Sequence, residues 1–346
     1  MQLSEFNFPF DASLIATEPV LPREQARLLV ISPREQSIIH RRIADLADLL
    51  SPGDLLVVND TRVRPARIKG RKPSGVAVDI LFVKAVADRE WEVLMKGTWK
   101  AGQVIDADPG VRLTVLVRDA GRTVVRIEGT FPITEWFHSH GSMPLPPYIK
   151  RPPTDLDREW YQTLFAKDEG AIAAPTAGLH FTAALLNRLA DRRIELARVT
   201  LHVGVGTFKP VTVDRIEDHR MEPEWVEVGP ETVRAIEQAK QRNGKIVAVG
   251  TTVVRALESA ASEPGTVRAY RGETGLFIVP GYRFRIVEAL LTNFHLPQTT
   301  LLMLVSAFGG TELIRQGYEE AVRTRYRFYS YGDAMLVTNR DSSAGG

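Results

Sequence analysis

"GDLLVVNDTRVRPARIKGRK", Gly53 to Lys72, contains the change of pattern that decides the fold. Gly53 to Asp60 is an almost unbroken apolar run of strand length that ends on the polar pair Asn59-Asp60. It reads as a strand buried on both faces of a sheet. The next residues carry Arg62, Arg64, Arg67, Lys69, Arg71 and Lys72 before another acid appears at Asp79. From about Arg62 to Gly141 the apolar period becomes two, in VAVDILFVKAV, EWEVLMKG and VRLTVLVRDAGRTVVRIEG. Asp119-Ala120-Gly121, set between two β-branched runs, signals a hairpin. No helical window of useful length interrupts this region, so a small antiparallel barrel or sandwich is expected.

Both flanks have a different character. Upstream, RLLVISPREQSIIHRRIADLADLL reads as a strand, a turn at Ser32-Pro33, a second strand and an amphipathic helix with Ile43, Leu46, Leu49 and Leu50 on its apolar face. Downstream, MPLPPYIKRPP is a stiff proline linker. DLDREWYQTLF and FTAALLNRLADRR then read as helices, IELARVTLHV as a strand, ETVRAIEQAKQRNG as a helix, KIVAVG as a buried strand, TTVVRALESAA as a helix and ALLTNF as a strand, before two closing helices. Strands alternating with helices imply an α/β fold with a largely parallel sheet covered by helices. The expected division is a discontinuous main domain over residues 1–61 and 146–340, an inserted small antiparallel β-barrel over 62–145, and a flexible tail over 341–346.

A chain of 346 residues, 44% apolar and 25% charged, has the composition of a soluble globular protein of about two domains. MQLSEFNFPF lacks the pattern of a signal peptide, and the longest apolar run, Thr300 to Phe308, is half a bilayer span. A cytoplasmic location with no membrane association is expected. With no cysteine there is no disulfide, thiolate zinc site or cysteine nucleophile. A net charge of +2 means that a polyanionic partner must be met by a local patch. Ten lysines among 44 basic residues leave 34 arginines, which suits phosphate recognition as well as a GC-rich genome or a heat-adapted surface.

Several strings combine loop, strand end and helix entrance. In IAAPTAGLHFTAALL, Thr182 is an N-cap, while Pro175, Thr176, Gly178 and His180 build a bent loop in front of a helix. TLHVGVGTF brings His202, Gly204 and Gly206 to a strand end. It is not the dinucleotide fingerprint, because Lys209 follows Gly206 by three and no helix opens there. TNFHLP delivers Asn293 and His295 to another strand end, where open α/β sheets bind ligands. Gly250, Thr251 and Thr252, between a strand and a helix, form a cradle for a carboxylate or phosphate, or a plain threonine cap. His180, His202, His219 and His295 lack metal-site spacing, so no metal is expected. The basic run from Arg62 reads as a seam along a domain cleft. The rings of YRFYSYGD, Tyr326 to Asp333, read as core or as platforms for unpaired bases.

Taken in order, VVNDTRVRPAR, PLPPYI, Tyr161-Gln162, AAPTAGLHFT, HVGVGTFKPV, DHRMEPE, AVGTTVVRALE, PGYRF, TNFHLPQTTLLMLVSAF and YRFYSYGDAML resemble the S-adenosylmethionine:tRNA ribosyltransferase-isomerases of queuosine biosynthesis. Departures are Ala171, where many members carry serine, and Glu222, where histidine is common; position 222 is given no role. The resemblance implies an α/β domain with an inserted barrel. It implies transfer and isomerisation of the ribosyl part of S-adenosylmethionine onto 7-aminomethyl-7-deazaguanine at the tRNA wobble position, giving epoxyqueuosine, adenine and methionine. S-adenosylmethionine is then a substrate, with no cofactor or metal, and the other partner is the tRNA anticodon loop. On this reading His180, His202 and His295 act near the sugar. Asp60 or Asp333 holds hydroxyls or assists adenine departure. Asn59, Thr176, Gly178, Gly204, Gly206, Gly250, Thr251, Thr252 and Asn293 bind substrate, and Arg62 and Arg67 receive the anticodon backbone. A monomer is expected. A metal-dependent hydrolase and a non-catalytic RNA-binding protein are the rival readings, and each accounts for single segments only.

Overall fold

The computed structural model describes residues 1–108, 110–119, 122–204, 206 and 211–338. The hairpin tip at Ala120-Gly121, the stretch around Lys209 and the 341–346 tail lie outside the described residues.

The chain starts its sheet with the hairpin β1 (Arg27–Ser32) and β2 (Ser37–Arg42), followed by the single turn α1 (Leu46–Leu49). Next come β3 (Leu55–Asn59), buried throughout, and the short β4 (Thr61–Val63). Six strands then form the barrel: β5 (Arg67–Arg71), β6 (Ala77–Ala87), β7 (Glu90–Met95), β8 (Val104–Asp108), β9 (Val111–Asp119) and β10 (Arg122–Glu128). After α2 (Ile133–His140) and the proline linker come α3 (Asp157–Trp160), β11 (Asp168–Ala171), α4 (Ala183–Asp191) and β12 (Glu195–Leu201). The order continues with β13 (Glu224–Val228), α5 (Pro230–Gln241), β14 (Ile246–Val249) and α6 (Thr251–Ala260). It ends with β15 (Ala261–Glu263), β16 (Thr266–Val267), β17 (Tyr270–Thr274), β18 (Ala289–Asn293), α7 (Thr300–Gly309), α8 (Thr311–Arg323) and β19 (Ala334–Thr338).

Among the described residues the main sheet runs β17-β13-β12-β3-β14-β18-β19-β1-β2. It is mixed, which corrects the largely parallel expectation. Only β12, β3, β14 and β18 form a continuous parallel block. β19 lies antiparallel to β18 and parallel to β1, and antiparallel strands complete both edges. The cause is the connection between β18 and β19. One crossover helix returns the chain for a parallel strand, whereas two, α7 and α8, return it reversed.

Side chains of β3 alternate between the two cores. Leu55 and Val57 join the α6–α7–α8 side with Phe294, Phe308 and Tyr318, and Leu56 and Val58 join the α1–α4 side with Phe165 and Phe181. Full burial of each such side chain contributes roughly 1.5–3 kcal/mol.

The barrel is closed and antiparallel throughout, in the order β10-β7-β6-β5-β8-β9. Val78, Ile80 and Phe82 alternate inward from β6, against Leu113, Val115, Val125 and Ile127. Two helix expectations need correction. α2 does interrupt the barrel region, because an open barrel end needs apolar cover; Trp136 and Phe137 pack edge-on to Phe82 at 5.6 and 5.1 Å. DLDREWYQTLF forms only the single turn α3, since the Asp157 carboxylate gathers Arg151, the Thr154 amide and the Tyr331 hydroxyl.

Candidate active site

A narrow cleft opens beyond the carboxyl ends of β14 and β18, where a parallel sheet leaves its loops free. Gly250 turns the chain from β14 into α6 with φ +98°, a left-handed conformation that suits glycine. Its amide donates to Leu291 O at 2.8 Å, which docks the turn on β18. The Val253 and Val254 amides close on Gly250 O at 3.1 and 3.3 Å, which leaves the amides of Thr251 and Thr252, two residues that line the cleft, as the open donors at the start of α6. Thr176, Gly250, Thr251, Thr252, Asn293 and His295 all line this cleft, together with Tyr148, Tyr161, Tyr329 and Ser330. Its free volume is about 60 Å³, room for water and not for a nucleoside.

His180 stands behind the cleft, with Nε2 and Asn293 Nδ2 3.3 Å apart. Asn59 joins from β3: its Nδ2 donates to Leu201 O at 2.9 Å and to Thr252 Oγ1 at 3.3 Å, while Oδ1 accepts from the amides of Thr61 and Leu201. Asn59 therefore ties two strand ends to the first turn of α6.

The remaining sequence candidates do not line this cleft, although His202 adjoins Val203, which does, and shares Thr61 with Asn59. His202 stacks on Trp225, with ring centroids 5.0 Å apart, and its Nδ1 lies 2.8 Å from Thr61 Oγ1. Its ring also covers Gly170, where a Cβ would come 2.5 Å from Nε2. Asp60 accepts from Thr200 Oγ1 at 2.6 Å. Asp333 accepts from the backbone amides of Arg27 and Arg327, both at 2.8 Å, so its two oxygens hold the last strand in place. Gly178 is buried against Thr163, and the Gly204 amide donates to Glu224 Oε1 at 2.9 Å. Gly206 lies beside Glu222. Arg62 donates to Ala166 O, and Arg67 pairs with Asp79 at 2.6 Å on a separate groove of the barrel. That groove, about 1440 Å³, is also lined by Lys69, Arg71, Lys72, Arg112 and Arg151.

Burial sets the protonation states. Desolvation, aided by Arg23 and Arg327, takes His180 down to about 3, and desolvation alone takes His295 to about 3. Both rings are neutral at pH 7. His202 is also lowered, by burial first and then by Arg64, with Asp168 opposing. Asp60 and Asp333 are raised, in both cases chiefly by desolvation. Among the described residues no group of three or more His, Cys, Asp or Glu gathers in metal-binding geometry.

Sequence reasoning missed two features. Tyr148 and Tyr329 meet across the cleft with ring centroids 3.8 Å apart, although PLPPYI and YRFYSYGD are far apart in the chain. Arg255, in the middle of α6, forms a buried ion pair with Glu224 and donates to Leu276 O and Thr274 O. A lone arginine among the apolar residues of TTVVRALESAA was the available signal for the second. Of the YRFYSYGD rings, Tyr326, Phe328 and Tyr331 are core.

A family model described as queuosine biosynthesis protein matches residues 3–337. The chain belongs to this family. Among the family's curated proteins, one of Xanthomonas oryzae pv. oryzae named S-adenosylmethionine:tRNA ribosyltransferase-isomerase is 49% identical, over 98% of both chains. A protein of the same name from Aquifex aeolicus is 46% identical, over 97% of this chain and all of the relative. The fold is similar to the crystal structure of S-adenosylmethionine tRNA ribosyltransferase from Thermotoga maritima, with TM-score 0.57 and 35% identity over 96% of this chain and all of that one. None of these relatives is named as a hydrolase or as a non-catalytic RNA-binding protein, so neither rival reading gains support.

Proposed function

We infer that this protein is an S-adenosylmethionine-dependent tRNA ribosyltransferase-isomerase. It moves the ribosyl part of S-adenosylmethionine onto the aminomethyl group of 7-aminomethyl-7-deazaguanine in the tRNA anticodon loop and rearranges it to the epoxycyclopentanediol of epoxyqueuosine. The observation that carries this reading is the end-to-end identity with proteins of that name, joined to a cleft at the carboxyl ends of the parallel strands.

The sulfonium acidifies the C5′ hydrogens. A base removes one, adenine leaves, the amine of the wobble base adds, and methionine departs; the sequence balances without a metal or redox partner. In this reading the Gly250-Thr251-Thr252 turn takes the methionine carboxylate on the α6 dipole. Neutral His180 serves as a hydrogen-bonding group beside Asn293, and neutral His295, whose Nε2 lies 3.1 Å from Thr292 Oγ1, as one beside Thr292. His202 is the proton acceptor of the three, because it is the least buried and keeps Nε2 available when Nδ1 donates to Thr61. Asp60, raised by burial, is the carboxyl suited to protonate departing adenine. Positioning supplies more than the base does, about 7–11 kcal/mol when geometry is fixed. Arg62 and Arg67 meet anticodon phosphates, and the single-stranded loop lets the wobble base turn outward without melting a duplex. The protein works as a cytoplasmic monomer.

The deciding experiment incubates the protein with S-adenosylmethionine and tRNA bearing 7-aminomethyl-7-deazaguanine, then analyses nucleosides and free bases by mass. Epoxyqueuosine with stoichiometric adenine is expected. Unchanged tRNA with intact S-adenosylmethionine would overturn the assignment. Within it, His202→Ala should lower single-turnover adenine release about 10²–10⁴-fold without unfolding.

A further inference from the structure

The mouth of the cleft is closed by two aromatic rings under unusual constraint. Tyr329 has φ +69°, which a bulky side chain adopts only when its surroundings impose it. The constraint is visible: the Tyr329 amide donates to Phe294 O at 3.1 Å, and its carbonyl accepts from Asn293 Nδ2 at 3.0 Å and from the Gly332 amide at 2.9 Å. Its ring is thereby held against that of Tyr148, whose hydroxyl lies 2.5 Å from Ser330 Oγ. Tyr326, Phe328 and Tyr331 of the same segment are core, whereas Tyr329 is only partly buried and lines the cleft.

A second observation points to a ligand. Asn293 is 2% exposed, and its Oδ1 is buried with no hydrogen-bond partner. Donation from Nδ2 to the carbonyls of Tyr329 and Asp333 fixes which end of the amide is the oxygen. A buried acceptor left empty costs about 1–3 kcal/mol, so it calls for a donor from outside. Tyr161, fully buried in the same wall, has its hydroxyl near Ser330 but without a hydrogen bond of ordinary geometry.

We propose that Tyr148 and Tyr329 are an aromatic clamp that parts to stack on a planar purine-type base, whose exocyclic amine donates to Asn293 Oδ1. The 60 Å³ cleft is then the clamp in its closed form, with the two rings occupying the space the base takes. Two sources supply such a base in the proposed reaction, on which this inference rests: the adenine of S-adenosylmethionine and the aminated deazaguanine of the tRNA. Both carry an exocyclic amine beside a flat ring.

The test uses Tyr148→Leu, Tyr329→Leu and Tyr329→Phe, each checked for an unchanged thermal melt. Calorimetric titration with S-adenosylhomocysteine, which lacks the sulfonium and does not react, measures the nucleoside arm. Anisotropy with an anticodon stem-loop bearing the aminomethyl base measures the RNA arm. Loss of one stacking partner weakens the arm that uses the clamp about tenfold. Tyr329→Phe keeps wild-type affinity, because the ring and not its hydroxyl makes the contact. Weakening of the nucleoside arm alone identifies adenine as the clamped base, and weakening of the RNA arm alone identifies the wobble base. Both Leu variants binding both ligands like wild type overturns the clamp, as does a loss in Tyr329→Phe equal to that in Tyr329→Leu. A wild-type protein that binds neither ligand counts against the proposed function instead.

Discussion

His180 and His295 are neutral because their rings are buried, and this makes stability depend on pH in a stated direction. In the unfolded chain each ring takes up a proton below about pH 6.5, whereas in the folded protein it does so only near 3. The unfolded state therefore binds more protons across that interval. Stability is complete above about 6.5 and falls on acidification by about 1.4 kcal/mol per pH unit per histidine. Asp60 and Asp333, raised by burial, act in the opposite sense just above their ordinary range, so they do not steepen this loss. Thermal melts from pH 7.5 to 5.5 should fall for the wild type and fall less steeply for His180→Gln and His295→Gln; parallel profiles would mean that the rings titrate normally. His295 was singled out because it follows the end of an apolar strand, and His180 because it sits in a bent loop before a helix. What each side chain does there was less legible. Asp333 looked free to meet substrate, yet both its oxygens hold backbone amides. Tyr329 was one of several rings read as core or as platforms for unpaired bases, and nothing local singled it out, because its neighbour Tyr148 comes from the far side of the sequence.

The element on which the cleft depends is α6. Its start requires Gly250, where a Cβ would find nothing closer than 3.6 Å, so a substitution there suffers from its backbone and not from crowding. Gly250→Ala should lower stability by about 1–2 kcal/mol and weaken S-adenosylhomocysteine binding; a denaturant midpoint equal to wild type would contradict the strained turn. The middle of α6 is anchored by the Arg255–Glu224 pair, each partner about 5% exposed, and Glu224 also accepts from Gly204. Arg255→Met removes the guanidinium that faces the buried Glu224 carboxylate and should cost about 3–5 kcal/mol in chemical denaturation. Adding Glu224→Gln to it should recover part of that loss, and a double variant as unstable as the sum of the singles would show that the two do not act as a pair. Of the strands around α6, β12, β14 and β18 were legible from their apolar runs, whereas β13 and β17 were not. The antiparallel entry of β19 was not legible either, since the reading ended on two closing helices, and without a strand after them the reversal that two crossover helices impose had nothing to act on. α2 had the right signal, Ile133, Trp136 and Phe137 on one face, in a segment too short to stand out from the barrel pattern.

At the scale of the whole molecule, a net charge of +2 is gathered unevenly, and the barrel groove holds Arg67, Lys69, Arg71 and Lys72 on one strand and its turn. Arg67→Glu combined with Lys69→Glu should weaken tRNA binding and flatten its dependence on salt, the logarithmic slope falling by about one for each phosphate that is no longer neutralised. Unchanged affinity and slope would place the RNA elsewhere. The barrel was legible as a unit because its period of two is sustained over so many residues. Its angle to the sheet was not, because that depends on packing made through the linker. The place of β19 also bears on how the molecule comes into being. Among the described residues, the hairpin of residues 27–42 is joined to the rest of the sheet through residues 334–338 alone. During synthesis the earliest strands therefore leave the ribosome with no strand of the main sheet to pair with and wait for nearly the whole polypeptide to emerge. The barrel, whose strands all come from one stretch, can close long before. Folding on the ribosome should thus finish at the sheet, and a chain released before residue 334 would keep its barrel while its first hairpin lacks the strand that pairs it to the rest of the sheet.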